Sequence, residues 1–151
     1  MKGFNILKLG VFVALAGFWL LAAMPDARAG ELTVYKSPWC GCCTGWVKHM
    51  RDNGFSVVVK EREDLSPIKS QYGVPENLQS CHTAEIDGYV FEGHVPADDV
   101  RRFLSEKPEG VTGLAVPGMP VGSPGMEQGD EKEPYPVVLF GNDGQFLYSR
   151  H

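Results

Sequence analysis

The sequence has no basic run, no second pair of closely spaced cysteines and no internal repeat. Each absence removes a class of function. With 14 lysines and arginines against 19 aspartates and glutamates, the net charge is −5, and no cationic stripe is available to track phosphates. The chain is therefore not expected to bind nucleic acid. Four cysteines in 151 residues are too few for a disulfide-dense scaffold. The length suits one domain rather than two.

Long apolar runs are also scarce. The one in question, Leu9 to Met24, spans 16 residues without a charge. A helix crossing the hydrocarbon core needs about 20 such residues. Lys2 and Lys8 precede the run, and Ala27-Arg28-Ala29 offers the small-x-small pattern of a signal-peptidase site. Residues 1–29 are expected to be an export signal, and residues 30–151 one domain. No cysteine closely follows the run, which argues against a lipid anchor. Cleavage removes Lys2, Lys8, Arg28 and Asp26 and takes the net charge to −7. The expected location is the periplasm, with no stable membrane insertion after cleavage. Thiols exported there pair, bind metal or are kept reduced by a partner.

The remaining chain reads as short elements. Leu32 to Tyr35 and the valine-rich Phe55 to Lys60 are predicted strands, the second buried on both faces. Between them, Thr44 to Arg51 places Trp46, Val47 and Met50 on one helical face, and Asn53-Gly54 stops the helix. A unit this brief predicts parallel strands. Leu65 to Tyr72 is a short helix. Thr83 to Ile86 and Tyr89 to Gly93 pair around Asp87-Gly88, a type I′ signal. Pro96 opens a helix over Ala97 to Glu106. Pro108 to Pro136 is so rich in glycine and proline that no regular element is expected there. Val137 to Phe140 and Gln145 to Tyr148 form a last hairpin. The fold class is α/β: a thioredoxin-like single domain with a central mixed sheet and flanking helices.

The chemistry concentrates at Trp39-Cys40-Gly41-Cys42-Cys43, between the first strand and the first helix. Unpaired N–H groups and the helix dipole favour a thiolate at this position, which is expected to make Cys40 a better nucleophile and a better metal ligand. The turn resembles the thioredoxin active site, except that Cys42 stands where thioredoxins usually carry proline. A third thiol beside the pair confuses dithiol exchange but clamps a soft ion well. Cys81, at the start of the third predicted strand, would complete a four-sulfur site. The four cysteines equally permit two disulfides in three connectivities, or a buried Cys81 thiol.

Zinc, an iron–sulfur cluster and Cu(I) all accept four thiolates. Zinc sites usually use two C-x-x-C knuckles, and only one is present. Met119 and Met126, in mobile Gly-Pro surroundings, supply thioethers suited to Cu(I); the alternative is that they pack against the core. A loop closing over bound copper is the expectation that follows. His94 is a candidate for a second, Cu(II)-friendly position. His82 points away from Cys81 if both lie on a strand, and inward if they lie in a loop. Both histidines are otherwise ordinary hydrogen-bonded side chains. His49 and His151 are expected to be solvated, and Trp39 and Trp46 to shield the turn.

The chain resembles the CopG-like periplasmic copper-resistance proteins, catalogued as a domain of unknown function. The likeness is carried from Val34 to about Phe140 by Cys40-Gly41-Cys42-Cys43, Ser80-Cys81-His82-Thr83, Gly88 to Pro96 and Pro117 to Met126. It implies a thioredoxin-like fold, a cysteine-bridged multinuclear copper cluster and a part in copper tolerance through Cu(I)/Cu(II) cycling. The implied partners are copper ions and periplasmic copper-export or redox proteins. A periplasmic thiol–disulfide oxidoreductase, with Cys40 attacking and Cys43 resolving, is the competing reading.

Overall fold

A computed structural model describes residues 30–151; the expected export signal lies outside the described residues. Strands β1 (Leu32–Lys36), β2 (Val57–Glu61), β3 (His82–Ile86), β4 (Tyr89–Glu92), β5 (Val111–Ala115), β6 (Pro136–Gly141) and β7 (Gly144–Arg150) form one sheet in the order β2-β1-β3-β4-β5-β6-β7. The helices are α1 (Gly41–Asp52), α2 (Ser66–Gln71) and α3 (Ala97–Glu106). Among the described residues no helix is long and apolar enough to cross a membrane.

Two strand–helix–strand units build the sheet. β1 and β2 are parallel across α1, and β4 and β5 are parallel across α3. β3 joins the units, antiparallel to both β1 and β4. Its hairpin with β4 turns at Asp87 and Gly88, whose φ values of 53° and 83° are those a type I′ turn requires. The α/β class and mixed sheet agree with the sequence reading. The core runs between the sheet and the helices, with Leu32, Val34, Trp46, Met50, Phe91, Val100 and Phe103 buried in it.

Two expectations fail. β2 is not buried on both faces: it is the sheet's edge, its valines are half-buried and Lys60 and Glu61 are exposed. The segment from Pro108 to Pro136 does contain a regular element, β5, inside the sheet. Gly113 hides this strand from the eye, because glycine breaks the apolar alternation. It is also what allows the strand, since a Cβ there would run into the backbone of Val90 on β4.

Candidate metal centre

The sheet order decides where the chemistry gathers. β3 lies beside β1, with His82 opposite Lys36. The residue before β3, Cys81, therefore arrives next to the turn that leaves β1. Cys40 is the N-cap of α1, and its sulfur accepts the backbone N–H of Cys43 at 3.3 Å. A cysteine here takes the place a serine or aspartate usually fills.

In this structure Cys40 and Cys43 form a disulfide, with Cα atoms 5.3 Å apart, while Cys42 and Cys81 are free thiols. The Cys42 Sγ lies 3.4 Å from that of Cys40 and 3.9 Å from that of Cys81. The four sulfurs all lie within 4.8 Å of one another, as metal ligands must. A second group shares one member: Cys81, His82 and His94 also bring ligand atoms within 4.8 Å.

One of the two imidazoles, that of His94, is held as a lone-pair donor. His94 Nδ1 donates to the Pro124 carbonyl at 2.8 Å, leaving Nε2 bare and 3.0 Å from the Cys81 sulfur. Fixing the far ring nitrogen on a carbonyl is the usual preparation of a ligating histidine. His82 Nδ1 is 3.3 Å from the same sulfur, and its buried Nε2 has no hydrogen-bond partner. Cys81 sits in the loop just before β3, so it and His82 turn the same way; strand alternation does not apply to the pair. Burial lowers the pKa of both rings, His82 furthest because His94, Lys69 and Lys36 also oppose its charge. Burial, then the neighbouring Cys42, pushes the Cys81 thiol up to about 12. An ion entering here must displace a proton from Cys81, so binding releases protons.

Sequence reading missed the brace behind Cys81. Glu92 is fully buried in β4 and accepts hydrogen bonds from Lys69 of α2, from Thr83 Oγ1 at 2.7 Å and from the Ser80 backbone N–H at 2.6 Å. Burial raises its pKa, against the pull of Lys69 and the hydrogen bonds. The available signal was a glutamate standing in an otherwise apolar strand.

The loop from Pro117 to Met126 is not the free lid its composition suggests. The Gly118 carbonyl accepts from Ser80 Oγ at 2.5 Å, and the Pro124 carbonyl holds His94. Gly125 (φ 88°) packs backbone to backbone on α1: a Cβ there would fall 2.5 Å from the Cys42 oxygen and 2.6 Å from the Trp46 nitrogen. Turns within the loop, including Met126 N–H to the Ser123 carbonyl at 2.8 Å, complete its order. Met119 projects to solvent, 53% exposed, and Met126 is half-buried.

Trp39 and Trp46 differ. Trp46 is buried, donates to the Val95 carbonyl at 2.8 Å and packs its ring 4.5 Å from that of His82. Trp39 does not shield the turn; it is 76% exposed. Neither outlying histidine is simply solvated. His49 Nε2 accepts the Ala97 N–H at 3.1 Å, because Pro96 provides no side-chain cap for α3. His151 stacks on Tyr135 and reaches Asp99 at 2.6 Å.

Comparison with known proteins agrees with this geometry. Residues 78–126 match a family described as a protein of unknown function, DUF411. No curated protein matches the chain. Two solved structures, forms 1 and 2 of copper resistance protein CopG, superpose with a TM-score of 0.76 at 43% identity, covering 82% of this chain and 98% of theirs. With identity at that level over nearly the full length of those structures, the chain belongs to the CopG-like family of copper resistance proteins.

Proposed function

We propose that the protein holds Cu(I) in the periplasm and contributes to copper tolerance, exchanging the ion between its Cu(I) and Cu(II) states. The observation that carries this reading is the sharing of Cys81 by a four-sulfur group and a two-imidazole group. Soft thiolates suit Cu(I), and imidazole accepts both oxidation states. Cys40, Cys42, Cys43 and Cys81 supply the sulfur once the Cys40–Cys43 bond is reduced. His82 and His94 supply nitrogen. Met119 and Met126, in the loop that packs on the cysteine turn, supply thioethers that stay neutral at any pH. Sulfurs this close favour bridging between ions, and therefore a multinuclear cluster.

An anaerobic titration of the reduced protein with Cu(I), against a chelator of known affinity, tests this. Each single Cys→Ser variant should lose far more bound copper than one sulfur's share. Proportionate losses would indicate independent thiols and defeat the cluster. Replacing Met119 and Met126 together with leucine keeps apolar bulk. The double variant should hold Cu(I) more weakly and oxidise faster in air, whereas unchanged values would make both methionines packing residues.

One observation favours the second reading, a thiol–disulfide oxidoreductase: a disulfide sits at a helix N-terminus, where a thioredoxin carries its own. Against it stands Cys42, 3.4 Å from Cys40 and able to intercept the exchange. Insulin reduction at a thioredoxin's rate would decide for the second reading.

A further inference from the structure

β1 places a charge where its pattern calls for an apolar side chain. Leu32 and Val34 are buried in the core, and Lys36, next in the alternation, is buried with them. The Glu92 brace takes Lys69 as its cation and gives Lys36 no part. Glu61 faces Lys36 across the parallel register of β1 and β2. Its carboxylate is 3.7 Å from the Lys36 ammonium, beyond hydrogen-bond length, and its side chain is exposed. It is the one ion-pair partner of Lys36 among the described residues. An ammonium withdrawn from water needs closer acceptors than that.

Lys36 lines a half-open cleft of about 230 Å³ between α1 and the edge of the sheet, together with Thr44, Val47, Arg51, Val59 and Glu61. None of the six belongs to either ligand group of the metal centre. Two cations against one carboxylate leave the lining with an excess positive charge. Arg51 is steadied by donating one N–H to the Val57 carbonyl at 3.1 Å, and the rest of its fork remains for another acceptor. The Thr44 hydroxyl is already committed, donating to the Cys40 carbonyl at 3.2 Å. Val47, buried, and Val59, half-buried, are the apolar walls.

We propose that this cleft binds a small aliphatic carboxylate, its oxygens on the Lys36 ammonium and the Arg51 guanidinium and its hydrocarbon end on Val47 and Val59. A carboxylate matches the two cations and pairs in two-pronged fashion with a guanidinium. A phosphate dianion matches less well, because its second charge is set against Glu61. The volume settles the size class. At a liquid share of roughly 30 Å³ per water-sized group, the cleft admits about seven or eight such groups, which suits a short-chain acid and excludes a polymer.

Butyrate is the probe, titrated at constant ionic strength into the isotope-labelled protein without added metal. The amides of Lys36, Thr44, Val47, Arg51, Val59 and Glu61 should shift along one saturating curve in two-dimensional NMR spectra. Butyramide has the same shape without the charge and should bind at least about tenfold more weakly, the worth of a hydrogen bond between charged groups. Inorganic phosphate should also bind more weakly than butyrate. Lys36→Met keeps the apolar stem and should weaken butyrate by about tenfold or more. Glu61→Gln removes the competing carboxylate from an exposed edge and should tighten butyrate by about two- to fivefold, the range of an exposed ion pair. Shifts that do not saturate or that centre on other residues would overturn the proposal. So would butyramide or phosphate binding as tightly as butyrate, a Lys36→Met variant that binds like the parent, or a Glu61→Gln variant that binds no better. Butyramide and Glu61→Gln read the charge pairing with Lys36 in place, so they decide the matter even where Lys36→Met does not fold.

Discussion

The cysteine turn and the pocket behind Cys81 solve one problem by opposite means. The turn is local: Cys40, Cys42 and Cys43 lie within four residues, and an α-helix N-terminus sets their geometry. It is partly open to solvent. The pocket is assembled from α2, the loop before β3, β4 and the loop reaching Pro124, and nearly every polar group in it is buried. A helix start positions ligands at little cost, because its N–H groups need an acceptor anyway. Holding ligands on separate strands requires a hydrogen-bonded brace, and removing any member leaves a buried group unsatisfied. The turn should therefore tolerate substitution as a folding element, and the pocket should not.

The sharpest test is Glu92→Ala. It strands the buried Lys69 charge and frees the Ser80 N–H, so the apoprotein should lose about 3–5 kcal/mol in urea unfolding, as when one partner of a buried pair is removed. Pairing it with Lys69→Met should recover much of that loss. If Glu92→Ala costs no more than a surface change, the contrast between the two halves is false.

Gly125→Ala attacks the seam between them. The new Cβ meets the Cys42 carbonyl at a positive φ, and the loop must lift off α1. Destabilisation of about 1–3 kcal/mol is expected from overpacking. Because the same loop holds His94 through Pro124, Cu(I) affinity should fall as well. Lost stability with unchanged affinity would uncouple the loop from the pocket.

His49 provides a control outside both halves. Burial lowers its pKa against the pull of Glu127, Asp98 and Asp52, and its neutral Nε2 accepts the Ala97 N–H. Below the unfolded-state value of about 6.5 the unfolded chain binds the proton more readily, so His49 contributes full stability above that pH and loses it as the pH falls through the lowered folded value. Parent and His49→Gln should differ by about 1 kcal/mol at pH 7.5, the worth of one hydrogen bond, and converge toward pH 5. A gap that widens on acidification would reverse the sign.

Cys40→Ser should have the smallest folding effect. A serine hydroxyl caps the same N–H, so stability measured in reductant should stay within about 0.5 kcal/mol of the parent. Cu(I) affinity should nevertheless drop. A large loss of stability would mean that the sulfur, not the cap, holds the turn.

The same contrast explains what was legible in the sequence. The cysteine turn, the type I′ hairpin and α3 could be read because each is encoded in a few consecutive residues. β5 could not, since Gly113 looks like a loop residue until Val90 is placed against it. The Glu92 brace was invisible because its partners lie 9 to 23 residues away. The direction of His82 turned on whether β3 begins at residue 81 or 82, a boundary that pattern alone places poorly.

The unequal setting of Trp39 and Trp46 gives the described domain its own optical readout. Trp46, dry and packed at a tilt against His82, should emit to the blue and respond to an ion held beside that ring. Trp39, bathed in water next to Cys40, should emit to the red and be extinguished by a dissolved quencher or by a molecule settling over the turn. With Trp39→Phe and Trp46→Phe as references, fluorescence can time the arrival of copper and the approach of a reductant as separate signals in one cuvette.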